Sequence, residues 1–345
     1  MYSLIRPLLF QLDPELTHHL GMTTLAAANA VGLVKAVMPG IPDQPVEVMG
    51  LKFPNPVGLA AGLDKSGDYF NALGNLGFGF VEIGTVTPRP QPGNAKPRLF
   101  RIPEQQAIIN RMGFNNKGVD HLVTQVRARG FTGVLGINIG KNATTPVEQA
   151  QDDYRTAMAK VYPWADYITI NISSPNTLGL RSLQYGRQLA ELLSSLKTYQ
   201  GQLQTTHGRY VPLAVKIAPD LNENEVREVA TTLKTQGVDA VIATNTTLGR
   251  DAVQGLRYGD ESGGLSGAPL TELSTQIIRQ LRIELGKQIP IIGVGGIMTA
   301  TDAKAKMEAG ASLVQLYSGL IYRGPRLIAE AADAIASLNH SAVGA

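Results

Sequence analysis

Eight short apolar runs rich in β-formers recur along this chain, at 57–60, 80–86, 133–139, 167–172, 211–217, 240–243, 289–294 and 313–316, each separated from the next by a segment long enough for a crossover. Parallel strands need such crossovers, usually helical, and closing the sheet leaves no unpaired edge. The pattern therefore predicts an α/β fold, a closed (β/α)8 barrel of the TIM type over residues 45–338, with a doubly wound open sheet as the weaker alternative. After nearly every run comes a polar or glycine cluster: Gly62 to Lys65, Thr85, Asn138 with Lys141, Asn171 to Asn176, Lys216, Thr244 to Thr246, Gly295-Gly296 and Tyr317-Ser-Gly319. In a barrel these clusters converge on one face, the C-terminal mouth, where such folds keep their chemistry.

Residues 1–38 stand apart as a small N-terminal helical extension. Two short helices are expected there, one with a stripe of Leu4, Ile5, Leu8, Leu9 and Leu12, the other with Leu16, Leu20, Thr23, Ala27, Val31 and Val34, with Asp13 capping the second and Pro39 and Pro42 breaking the chain. The segment carries only Arg6, Asp13, Glu15 and Lys35 as charges. It reads either as a helical hairpin packed on the main domain or as a module that touches a membrane or an apolar ligand, and the two are compatible. The stretch from Leu20 to Val34 is uncharged but too short to span a bilayer, and Arg6, Pro7 and Asp13 interrupt any signal-peptide core. A net charge of +3 and pI near 9.0 without a Lys/Arg run give little support for nucleic-acid binding, while anionic lipids or small anions remain open as partners.

The chain has no cysteine, which removes disulfides, thiolate catalysis and thiolate metal sites together. Its five histidines, 18, 19, 121, 207 and 340, show no ligand spacing, so no metal is expected. Any base or nucleophile on a small side chain must then be a hydroxyl, and Ser174, flanked by Asn171 and Asn176 where the fourth strand gives way to a loop, is the candidate. Taken alone, Ser-Pro-Asn also reads as a turn with capping side chains. Gly293-Val-Gly-Gly296 and Tyr317-Ser-Gly319, after the last two strands, offer backbone N–H groups to a phosphate, of a flavin or of a sugar. The other strand ends carry amides and ammonium groups, Asn110, Asn138, Asn171, Asn176, Asn245, Lys65 and Lys216, a set suited to a flat, amide-rich heterocycle and to negative charge.

Long segments then resemble a known family: Gly77-Phe-Gly-Phe-Val-Glu-Ile-Gly-Thr-Val-Thr-Pro-Arg-Pro-Gln-Pro-Gly-Asn-Ala-Lys-Pro-Arg98, Asn110-Arg-Met-Gly-Phe-Asn-Asn116, Gly136-Ile-Asn-Ile-Gly-Lys141, Asn171-Ile-Ser-Ser-Pro-Asn-Thr177 and Ile291-Ile-Gly-Val-Gly-Gly-Ile297, with Phe10-Gln-Leu-Asp-Pro14 ahead of the barrel. In this order they resemble the quinone-dependent (class 2) dihydroorotate dehydrogenases, through almost the whole chain. The resemblance implies FMN held by Ala61, Gly62, Leu63, Asp64, Lys65, Thr85, Asn138, Asn171, Lys216, Thr244, Gly267, Gly296, Tyr317 and Ser318. It implies dihydroorotate, the precursor of orotate, against Lys65, Asn110, Arg111, Met112, Gly113, Phe114, Asn171, Asn176, Asn245 and Thr246, a half-site built wholly from barrel loops. Ser174 matches the catalytic base, at the position where the soluble class carries Cys; Thr177 is a neighbouring hydroxyl that reads either as a proton relay through a water or as a turn residue, and residues 175–186 are long enough to fold over the substrate as a lid. The lid departs from the family pattern, Leu178 standing where proline is expected.

By the same resemblance, the N-terminal helices form a tunnel through which a membrane quinone, ubiquinone or menaquinone, reaches the flavin, with His18, Arg101 and Tyr317 at its inner end. The expected protein is a monomeric peripheral enzyme of the cytoplasmic face of the inner membrane, working in pyrimidine synthesis and binding no nucleic acid. The rivals are another FMN barrel acting on a pyrimidine or on tRNA dihydrouridine, which should show a catalytic Cys or a basic extension, and a non-catalytic flavoprotein docked at a membrane.

Overall fold

The computed structural model describes residues 2–343 except Pro39 and Pro42, and all their side chains except those of Ser3, Leu4 and residues 339–343. The break expected at Pro39 and Pro42 and the side chains of Leu4 and His340 thus lie outside the described residues. Thirteen strands form among them: β1 (Val46–Val48), β2 (Leu51–Phe53), β3 (Val57–Leu59), β4 (Phe80–Val86), β5 (Leu99–Ile102), β6 (Ala107–Asn110), β7 (Val134–Ile139), β8 (Tyr167–Asn171), β9 (Leu213–Ile217), β10 (Ala240–Ala243), β11 (Gly264–Gly267), β12 (Ile291–Val294) and β13 (Leu313–Leu316).

All eight expected runs become parallel strands, and they close in the order β10-β12-β13-β3-β4-β7-β8-β9. The runs beginning at 211 and 289 start two residues late because Pro212 and Pro290 lack the N–H a ladder needs; their carbonyls still accept from Ile168 and Val241. Helices on the outside bury one face of each strand and the barrel interior buries the other. That two-sided burial is why β4, β7, β8 and β9 read as continuous buried runs rather than alternating ones.

The interior is packed by size complementarity. Gly58 leaves room for the Phe80 ring and Gly136 for the Tyr167 ring; a Cβ on either would lie 2.3 and 2.2 Å from ring atoms. At the strands' N-terminal end the hairpin β1–β2, which the sequence pattern did not announce, drives Phe53 edge-on against Phe80, with ring centroids 5.2 Å apart, and plugs the barrel floor. A second unannounced element sits at the mouth. The antiparallel sheet β11-β6-β5 joins two excursions, one after β4 and one after β10, and brings Asn110 opposite Gly264 and Ala107 opposite Gly267.

The N-terminal extension forms three helices rather than two: α1 (Tyr2–Leu9), α2 (Pro14–Ala30) and α3 (Leu33–Val37). The extra break falls at Gly32, whose φ of 75° is open to glycine at little cost. Asp13 caps α2 as expected, its Oδ1 accepting from the Leu16 N–H at 2.9 Å. The apolar stripes face outward. Leu8 is 66 % exposed, Ile5, Leu12, Leu16 and Leu20 nearly half exposed and Val31 79 %, and α2 has no buried residue. Contact with the barrel is made instead by Met22, Leu25 and Ala28, with Val34 buried from α3. No helix among the described residues is long and apolar enough to cross a membrane.

Candidate active site

One cleft opens at the C-terminal ends of the barrel strands, walled on one side by β6 and β11. Of the residues expected to hold a cofactor, Ala61, Gly62, Lys65, Thr85, Asn171, Lys216, Thr244, Gly267, Gly296, Tyr317 and Ser318 line it; Leu63, Asp64 and Asn138 do not. Of those expected at a substrate, Lys65, Asn110, Met112, Gly113, Phe114, Asn171, Asn176, Asn245 and Thr246 line it, and Arg111 points away to pair with Glu261 at 2.5 Å and stack over Phe100. The three residues behind the wall support it. Leu63 is buried in the core, and the Asp64 carboxylate takes the N–H groups of Asp68 and Tyr69 at 3.0 and 2.7 Å, fixing the loop that delivers Lys65.

Asn138 belongs to a buried chain of hydrogen bonds with one direction. Asn171 Nδ2 donates to Thr85 Oγ1 (2.8 Å), Thr85 Oγ1 to Asn138 Oδ1 (2.6 Å), and Asn138 Nδ2 to Glu82 Oε1 (2.8 Å). Glu82, wholly buried in β4, also accepts from Tyr167 OH at 2.8 Å and Gln315 Nε2 at 2.9 Å. A group that accepts three bonds at the bottom of the chain leaves each link above it a single sense. The Asn171 amide is thereby held with Nδ2 toward Thr85, while its Oδ1 accepts from Asn245 Nδ2 and Ser173 Oγ, at 3.4 and 3.3 Å. Glu82 and the cleft-lining Gln315 were missed by sequence reading. Their signal was a polar residue inside a run that is otherwise apolar and buried on both faces.

Ser174 is 6 % exposed and lines the cleft, its Oγ accepting from the Asn176 N–H at 3.2 Å. Asn176 Nδ2 reaches Asn110, donating to O and Oδ1 at 3.1 Å each. Thr177 Oγ1, three residues from Ser174, is buried without a hydrogen-bond partner. Burial, assisted by the charge of Arg98, lowers the Lys65 ammonium to about 8, and its Nζ meanwhile donates to Gly62 O at 2.7 Å. Lys216 is likewise lowered by burial and is held up by the charge of Glu82.

The glycine corner is built from behind. Gly295 and Gly296 have φ of 115° and 71°, and their N–H groups take no hydrogen-bond partner among the described residues. Their carbonyls are clamped by Ser274 Oγ at 2.9 Å and Thr271 Oγ1 at 2.7 Å. The buried Lys306, another residue missed from sequence, gives its three N–H donors to Thr271 O, Thr275 Oγ1 and Ser274 Oγ, tying the same turn down; burial pushes it to about 7.

Tyr317 lines the cleft beside Gly62, and burial pushes its hydroxyl up to about 12. His18 and Arg101 do not line it. His18, on α2, is pushed down to about 4 by burial and by the charge of Lys65, and so is neutral at pH 7. Arg101 is committed elsewhere: its guanidinium donates to Leu9 O and Leu12 O and lies 4.6 Å over the Phe10 ring, holding the end of α1. Residues 175–186, expected to act as a lid, include a 3-10 turn at Leu180–Gln184, and Leu178 just before it is 95 % exposed.

Comparison with known proteins gives a consistent result. A family model described as Dihydroorotate dehydrogenase matches residues 44–338. Among curated relatives, a Dihydroorotate dehydrogenase (quinone) of Cellvibrio japonicus is 64 % identical over 337 residues, 98 % of each chain, and one of Pseudomonas paraeruginosa is 60 % identical over 338 residues, 98 % of this chain and 99 % of that one. A crystal structure of DHODH from Eimeria tenella in complex with ferulenol superposes with a TM-score of 0.86 at 38 % identity, covering 96 % of this chain and 93 % of that one.

Proposed function

This chain belongs to the dihydroorotate dehydrogenase family and is a quinone-dependent dihydroorotate dehydrogenase, and on that premise we propose which residues hold its cofactor, move its protons and meet its membrane. The reaction oxidises dihydroorotate to orotate in pyrimidine synthesis.

The cleft fits FMN. Two unpartnered N–H groups at Gly295 and Gly296, beside the helix that begins at Ser318, suit a phosphate, and the amides and lysines of the opposite strands suit the flavin ring. FMN, when bound, supplies a hydride acceptor and a route for electrons to quinone. The rest is done by the chain. Lys65, Asn110, Asn171, Asn176 and Asn245 bind and orient the carboxylated pyrimidine, and Lys65 opposes negative charge on it. Ser174 Oγ takes the proton from C5, and the orphan hydroxyl of Thr177 passes it outward through a water. Residues 175–186 close over the ring and keep bulk water from that hydroxyl pair.

The single observation that carries this reading is a buried serine hydroxyl in one cleft with four Asn amides and an ammonium, opposite a glycine corner that offers free N–H groups. Adding dihydroorotate to the purified protein without oxygen should bleach its bound flavin and release orotate. A colourless folded protein, or a flavin that dihydroorotate leaves oxidised, would refute it.

The outward stripe of α1 and α2 supports docking on a membrane surface. Quinone then enters between these helices and the barrel and meets the flavin beside Tyr317, with neutral His18 nearby and Arg101 holding the entrance helix in place. The protein is peripheral, at the cytoplasmic face of the inner membrane.

A further inference from the structure

We propose that Glu15, on the membrane-facing helix α2, is a positioning residue for the substrate half-site and acts through Arg98 and Asn94 on Asn176. The inference rests on the reading above, in which Asn176 and Lys65 contact dihydroorotate. It adds a residue from outside the barrel behind a half-site expected to be built wholly from barrel loops.

Arg98 is 7 % exposed, in the loop between β4 and β5. Its Nε and Nη2 grip both oxygens of Glu15, at 2.7 and 3.2 Å, a bidentate pair. Its Nη1 donates to Pro92 O and Asn94 O at 2.7 and 2.8 Å, so the same guanidinium sets the path of the loop at 92–94. That loop touches the pocket directly. Asn94 donates from its backbone to Met112 O (3.0 Å) and from Nδ2 to Arg111 O (2.8 Å) and Asn176 O (3.4 Å). There is no slack to absorb a shift. A Cβ on Gly93 would lie 2.2 Å from Met112 O, and one on Gly113 2.8 Å from the Asn94 side chain. With Glu15 gone, Arg98 keeps a buried charge and two unmade bonds, and it must turn from Asn94 to find partners.

The same pair acts on Lys65 through space. Arg98 pushes the ammonium toward neutrality, while Glu15 and Asp64 pull it back; the nearby His18 is neutral near pH 7 and adds no charge. Without Glu15, the guanidinium acts on Lys65 less opposed. Orotate, an anion, then loses its counter-cation at a lower pH.

The test is orotate binding to the full-length, flavin-loaded protein, read from the perturbation of the flavin spectrum between pH 6 and 9.5, with flavin content measured alongside. E15Q should weaken orotate about threefold to tenfold, the size of coupling that a packed network transmits, with flavin content unchanged and the alkaline loss of binding moved to lower pH. E15D should restore part of both. N94A should weaken orotate by a similar factor, and the double variant should lose no more than the worse single one. Wild-type affinity and pH profile in E15Q, or additive losses in the double variant, would overturn the coupling and leave the functional reading standing. A wild-type flavin that ignores orotate would overturn both. Should E15Q fail to fold, N94A decides alone, and an unchanged orotate affinity there overturns the coupling.

Discussion

Replacing Glu82 with glutamine tests whether one side chain sets the sense of the hydrogen bonds between the barrel floor and the pocket. The carboxylate accepts three bonds and donates none. Glutamine keeps the shape but puts an NH₂ where an acceptor stood. Placed at Oε2, that group would face both Tyr167 and Gln315; placed at Oε1, it faces Asn138 alone, so the second placement wins. One donor then opposes another, at about 1–3 kcal/mol, and the two surviving bonds drop from charged to neutral strength, about 1 kcal/mol each. The expected loss is about 3–5 kcal/mol. At about 2.1 cal/mol/K of unfolding entropy per residue, a 345-residue chain loses about 4–7 °C in Tm. The site should suffer as well. Asn138 relieves the clash by turning its amide, which asks Thr85 to accept from it; Thr85 then has two donors, Asn138 and Asn171, and the Asn171 amide loses its fixed orientation. Lys216 loses the charge that holds its ammonium up against burial. Thermal melts of the flavin-loaded protein and FMN titration of the apoprotein would measure both effects. A Tm within about one degree of wild type together with unchanged FMN affinity would refute the directional chain.

Ser174→Ala should retain flavin and orotate while slowing flavin reduction by about 10²-fold or more, seen in anaerobic stopped flow; an unchanged rate would move the base elsewhere. Orotate affinity should fall about tenfold per pH unit above the Lys65 value of about 8, because only the ammonium form pairs with the carboxylate, and Lys65→Ala should bind weakly with no such limb. Deleting residues 2–38 should abolish reoxidation by a long-chain quinone and weaken partition onto liposomes while sparing a small soluble dye, and it should weaken orotate as E15Q does, since Glu15 leaves with the segment. Gly136→Ala should destabilise the fold by about 1–3 kcal/mol in urea melts, since its methyl would sit 2.2 Å from the buried Tyr167 ring.

The barrel was legible because burial on both faces writes each strand as an apolar run, and because every run is followed by a segment long enough for a crossover. Most of the pocket was legible for a related reason: polar side chains mark the ends of the runs, Thr85, Asn171 and Lys216 one residue before the end and Thr244 just past it. The sheet β11-β6-β5 was not. Gly264-Leu-Ser-Gly267 has no β-branched residue, and its partner is remote in sequence, so neither propensity nor periodicity marks it. The stripes on α1 and α2 were seen, but a sequence stripe says which residues share a face, not whether protein or membrane covers it. Arg98 and Lys306 escaped for a related reason. A cation in a loop or helix reads as solvated surface until tertiary structure brings Glu15 or Ser274 to it.

The pairing of Asn110 with Gly264 joins residues 154 apart in sequence, and β13 must return to β3 before the barrel closes. Loop closure over such separations is slow and yields nothing until both partners exist. A nascent chain that has emerged only through β10 therefore has neither a pocket wall nor a closed sheet, even though Lys65, Asn110, Ser174 and Lys216 are already synthesised. Pocket and fold are completed by the same late stretch of chain, so the cleft comes into being only with the last strands.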